Sequence, residues 1–181
     1  MTGPWERTPV RVGLEILLYV GLGVFIAALA LVCAHLVLGQ ESTHYRHRDG
    51  WVLPDMLLTP GAVRETVAAK ICGVSTKAFR HTTEATKRRV YEEYGILAHH
   101  EGQYEVDHLI PLELGGKDTI TDLWPEPALP QPGFRQKDVL ENWLHAQICS
   151  GAISADSAQR WIVHDFPGAY RAMVKAKASG P

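Results

Sequence analysis

The strongest contrast between apolar and polar positions lies at the start of the chain. Ile16 to Leu38 is a run of 23 residues without a formal charge, in which His35 is the one strongly polar side chain. At about 1.5 Å rise per residue, such a run matches a hydrocarbon core of about 30 Å. It predicts a transmembrane helix over residues 16–38 behind a short tail, residues 1–15. A cleaved signal peptide is the alternative, since Ala28-Leu29-Ala30 has the small-x-small form of a cleavage site. The apolar region of a signal peptide is usually about 7–15 residues, however, and here it continues through Leu36, Val37 and Leu38. Cys33, inside the run, reads as a packed thiol.

Residues 39–57 mix histidines, arginines, Gly50 and Pro54 without periodicity and read as a linker. Leu58-Thr59-Pro60-Gly61 then predicts a helix start with Thr59 as N-cap, and Val63, Val67 and Ile71 form an i, i+4, i+8 stripe that ends at Gly73. A second helix is expected from Thr82 or Thr83 to Tyr94, closed by Gly95. From Tyr104 to Leu114 the period changes to two, and Gly115-Gly116 marks a turn, so a hairpin is expected. Leu123 to Gly133 reads as a proline-broken connection. Helical period returns over 136–149 with Leu140, Leu144 and Ile148 on one stripe. Ser154 caps a last helix through Val163, and residues 171–181 read as a frayed tail. The pattern sums to an α+β class: one spanning helix, then a mainly helical domain, residues 58–170, around a short hairpin.

The net charge of −2 over 181 residues excludes a uniformly basic nucleic-acid binder, but the average conceals segregation. Residues 64–89 carry seven basic and two acidic side chains, a net of +5, whereas residues 92–126 carry nine acidic side chains against Lys117, a net of −8. This is either a pair of solvated faces or an acidic cation site beside a basic surface. The helix face Lys87-Arg88-Arg89, with Lys137, offers phosphate contacts or simply a solubilising surface. Three cysteines are too few for a four-cysteine zinc site. Cys72 and Cys149, each close to a helix end and a glycine, form either a disulfide or two buried reduced thiols. A disulfide would place the domain on the extracytoplasmic side of the membrane. The arginines flanking the apolar run (Arg7 and Arg11 against Arg46 and Arg48) do not decide the orientation.

The densest chemistry lies in Tyr104-Glu-Val-Asp-His-Leu-Ile-Pro-Leu-Glu-Leu-Gly-Gly116 and Asp122-Leu-Trp-Pro-Glu-Pro127. Neighbouring Asp107 and His108 would point to opposite faces of a regular strand and converge only at a strand end or an irregular loop. A carboxylate ligand beside an imidazole base is a hydrolytic pairing. Asp107-His108-Leu-Ile-Pro111 through Gly115-Gly116 resembles the HNH endonuclease family, which is built on a ββα-metal motif. Asp122 through Pro127, Lys137-Asp138, Leu140-Glu141-Asn142, Leu144-His145, Ile148-Cys-Ser-Gly151, and upstream Leu58 to Gly61 and Ile71-Cys72 resemble a bacterial subgroup of small HNH-like proteins.

The resemblance implies a metal-dependent endonuclease anchored to a membrane through residues 16–38. Its partner would be nucleic acid, DNA rather than RNA, and its cofactor a divalent ion, Mg²⁺ first and Mn²⁺ or Zn²⁺ as alternatives. Asp107 would be a metal ligand and His108 the general base. Asp122 falls where the family has a loop-orienting asparagine, so it either holds the loop or is itself a ligand. The last ligand is not evident from the motif. Asp138, on the stripe with Glu141, Asn142 and His145, is the first choice, and that stripe is otherwise a solvated face. The alternative function is a degenerate HNH-like domain that binds nucleic acid or a protein.

Overall fold

The computed structural model of the protein describes residues 19–32 and 44–180, which fall in two units divided between Glu41 and Ser42. In the first unit, residues 19–32 form a helix, α1. Among the described residues no helix is long and apolar enough to cross a membrane. The expected transmembrane helix is corrected accordingly, and with it the single-pass placement and the extracytoplasmic orientation that presupposed it. The remainder of that span (residues 16–18 and 33–38, with Cys33) and the tail before it lie outside the described residues.

The second unit is α+β. It opens with an antiparallel hairpin, β1 (Tyr45–Arg48) and β2 (Trp51–Pro54), in what the sequence presents as a linker. Asp49 and Gly50 both have positive φ, 52° and 81°, the two-residue turn that matches the twist of paired strands. β2 is buried along its whole length, and the Trp51 ring lies 4.7 Å from that of Phe166. Apolar burial thus makes this hairpin part of the domain rather than a tether.

Thr59 is not a helix cap. It is buried, and its hydroxyl donates to the Leu123 carbonyl (2.9 Å) and meets the Tyr94 hydroxyl at 2.7 Å. The following residues run extended instead of helical, because the hairpin loop supplies their hydrogen bonds. The Gly61 N–H donates to Thr121, and the N–H groups of Arg64 and Glu65 donate to Gly115. Only Ala68–Ile71 is helical (α2), and Val63 and Val67 of the expected stripe are exposed. Helix α3 (Glu84–Glu93) follows its sequence signals, with Thr83 accepting from the Thr86 N–H at the N-cap and Gly95 at φ 72° beyond it.

Strands β3 (Tyr104–His108) and β4 (Leu123–Pro127) pair antiparallel, from Tyr104 opposite Pro127 to His108 opposite Leu123. The proline-broken connection is therefore a strand. Pro125 and Pro127 have the same parity, so the N–H groups they lack belong to one side of it. Helix α4 (Phe134–Cys149) buries Leu140, Leu144 and Ile148 as expected. Helix α5 starts at the Ser154 cap but runs to Ala178, past the expected end at Val163 and through the expected tail, with a kink at Asp165 before Pro167. Its apolar face continues through Phe166, Ala169 and Met173, which are buried, and this extends the helix. Cys72 and Cys149 are joined in a disulfide with Cα atoms 5.7 Å apart, tying α2 to the end of α4.

Candidate functional site

β3, β4 and α4 form a ββα unit, and the candidate residues cluster where the hairpin meets the helix. The Leu109–Thr121 connection is fixed by close backbone packing. A Cβ at Gly116 would lie 1.7 Å from the Ile110 carbonyl oxygen, and one at Gly115 2.2 Å from that of Glu65. Side chains are sterically barred from this Gly-Gly pair. The Gln159 amide of α5 donates to the carbonyls of Glu65 and Leu114, both at 2.7 Å, and locks the connection from behind.

His108 is the last residue of β3 and 1% exposed. Its Nε2 lies 2.9 Å from Asp118 Oδ1, and its Nδ1 lies 4.0 Å from Asp107 Oδ1. The strand end thus brings the Asp107 and His108 side chains near each other. Asp118 also accepts from the Thr82 hydroxyl and the His81 N–H. Burial works to raise the Asp118 carboxyl, but these bonds and His108 outweigh it and hold it below its ordinary value. Beside an ionised Asp118, Nε2 of a neutral His108 carries the proton and Nδ1 the lone pair. Burial depresses the His108 imidazole against the pull of Asp118, which keeps the ring neutral at pH 7. Asp118 is a functional candidate that the sequence reading missed. Its signal is its place in the return of the hairpin, ten residues after His108.

Asp122 braces the loop. Its Oδ1 accepts from the N–H groups of Ile110 (3.0 Å) and Ala62 (3.1 Å), while its buried Oδ2 has no hydrogen-bond partner. Burial pushes its carboxyl up to about 8 despite the two N–H bonds. A carboxyl raised above its unfolded value contributes stability that is fully present below the unfolded pKa and lost as pH rises through the folded one. Between pH 7 and 9 this group alone costs the wild type about 1 kcal/mol. Asp122→Asn keeps the accepting oxygen and removes the titration. Because much of that loss has already occurred by pH 7, its melting temperature should exceed the wild type's at pH 7 and by a wider margin at pH 9, as thermal melts at the two pH values will show.

Lys137, expected to contact nucleic acid, does not reach the surface. It enters from the first turns of α4, is 0% exposed, and is enclosed by carboxylates. Its Nζ lies 2.5 Å from Asp107 Oδ2, donates to Glu141 Oε1, and lies 3.7 Å from Glu126 Oε2. Burial favours a neutral lysine, but the three carboxylates prevail and raise its pKa well above the ordinary value. Burial also lifts Glu126, and lifts Glu141 to about 8. Asp107 goes the other way, because the ammonium and its hydrogen bond outweigh desolvation and hold the carboxyl low.

The expected ligand pair, Asp107 and Asp138, fits a divalent ion poorly. Asp107 is engaged by Lys137, and Asp138 is exposed on α4. The polar stripe that suggested Asp138 divides in three: Glu141 turns inward to Lys137, Asp138 and Asn142 stay outside, and His145 sits by the disulfide, with Nε2 3.6 Å from Cys149 Sγ. Among the described residues, the one group of three whose donor atoms lie within 4.8 Å of one another is Cys72, His145 and Cys149, and both sulfurs are spent in the disulfide.

The basic residues of α3 border the site rather than enter it. Lys87 pairs with Glu84 and Arg89 with Glu93, while Arg88 is exposed. Lys87 lines a cleft of about 300 Å³ with Arg80, Tyr91 and Tyr104. Arg89 lines another of about 400 Å³ with His81 and Asp118. Asp118 therefore joins the second cleft to His108. No family model matches the chain, and neither does any curated protein or solved structure.

Proposed function

We propose that this domain is an HNH-type endonuclease that hydrolyses nucleic-acid phosphodiesters, DNA first, with His108 as general base. The observation that carries this reading is the Asp118–His108 pair at the end of β3. An ionised carboxylate fixes the tautomer, leaves the Nδ1 lone pair to take a proton from the attacking water, and stabilises the imidazolium that results. Asp118 is a positioning residue, and Asp122 with Gly115-Gly116 holds the loop that presents the imidazole. Arg80, Lys87 and Arg89, on the walls of the two clefts, are the phosphate contacts.

A second reading, a binding module without turnover, is favoured by the burial of His108 and the engagement of Asp107 by Lys137. Incubation of the full chain with supercoiled plasmid and with structured RNA, in EDTA and in Mg²⁺ or Mn²⁺, separates the two. Nicked or linear products support the nuclease. A gel shift without products supports the module, and neither result leaves no role in nucleic-acid chemistry.

A further inference from the structure

Lys137 bears on the cation expected at Asp107. Its side chain leaves the start of α4 and ends between β3, β4 and the next turn of its own helix, with hydrogen bonds to Asp107 and Glu141 and Glu126 Oε2 at 3.7 Å. An ammonium has three donors and no acceptor, and here carboxylates from three elements converge on it. A buried lysine would otherwise lose its proton or not be buried at all. Of the two oxygens on Asp107, Oδ2 faces this ammonium and Oδ1 faces the His108 ring. A divalent ion at Asp107 would displace the lysine from its hydrogen bonds and strand a charge in the interior, which is strongly unfavourable once a buried pair is broken.

We propose that the Lys137 ammonium is the resident cation of the Asp107 site, so that this chain dispenses there with the divalent ion of the nuclease family it resembles. A lysine Nζ cannot polarise water as a metal does, so the ammonium has a positioning role: it keeps Asp107 ionised beside His108. The proposal concerns the occupant of the site and stands whether or not the chain cleaves nucleic acid, because its readout is cation binding.

The test uses the full chain, with Mn²⁺ as the probe. The wild type should melt at the same temperature in EDTA and in millimolar Mn²⁺, and electron paramagnetic resonance should find no stoichiometric bound ion. Lys137→Met leaves three carboxylates without their ammonium and should bind Mn²⁺ at least about tenfold more tightly than the wild type, since ligand charge sets affinity at hard-cation sites. One equivalent of Mn²⁺ on the wild type, lost in Glu126→Gln, overturns the proposal. So does a folded Lys137→Met with no gain in Mn²⁺ affinity. If Lys137→Met fails to fold, the wild-type titration with its Glu126→Gln control decides alone.

Discussion

His108→Ala should lower phosphodiester cleavage by about 10²–10⁴-fold, the usual contribution of a positioned acid–base group. The variant also removes a buried ring and leaves Asp118 without its imidazole partner, so a stability loss of about 2–4 kcal/mol will accompany it. His108→Gln separates the two effects. Its amide can still donate toward Asp118, but it has no lone pair of comparable basicity. Folded His108→Gln, checked by circular dichroism and melting, should be as inactive as the alanine variant. The wild-type rate should rise with pH and level off below pH 7, because burial depresses the imidazole pKa and the neutral ring is the active form. A folded His108→Gln that turns over normally would remove His108 from the mechanism, and with it the proposed nuclease.

Removing the disulfide should have a comparable effect on stability. Cys72 and Cys149 are 77 positions apart, and closing a loop of that length removes about 4 kcal/mol of conformational freedom from the unfolded chain in the entropic model. The paired Cys72→Ala, Cys149→Ala variant should therefore lose about 2–5 kcal/mol and melt on the order of 10 °C lower. Cys149 is exposed at the end of α4, so a dithiol reductant should reach the bridge in the folded protein and reproduce the shift in the wild type. Equal melting curves with and without reductant, with two thiols titrating in the reduced sample, would show that the bridge adds nothing.

Structure decided by local signals is legible in the sequence, and structure decided by distant partners is not. Helix α3 is legible from its threonine cap and Gly95, and helix α4 from the 3.6-residue stripe of Leu140, Leu144 and Ile148. Thr59-Pro60-Gly61 carries an equally good helix-start signal, yet the backbone after it bonds to Gly115, more than fifty residues away. Leu123–Pro127 concealed a strand behind two prolines, since nothing local shows which side of the strand faces its partner. Trp51–Leu53 was obscured by the charged residues around it, although Asp49-Gly50 is a turn signal in plain view. At the site, Asp107 and His108 were legible from their motif. Asp118 was not, because only the folded loop brings it to the imidazole. Lys137 has the sequence signature of a surface cation, since lysine is rarely buried and the carboxylates that retain it come from β3, β4 and α4.

The two hydrogen bonds from Gln159 have a consequence for the order in which the molecule is made. They reach back 94 residues to Glu65 and 45 to Leu114, and the Ala62 contact with Asp122 spans 60. Contacts this distant form late, since each must close a long loop before it returns any energy. Every side chain of the Asp107 cluster has been synthesised by Glu141, but the residue that fastens their loop follows eighteen positions later. A nascent chain halted just after α4 would therefore carry the whole motif in an unassembled form, and the site would take shape only as α5 clears the ribosome.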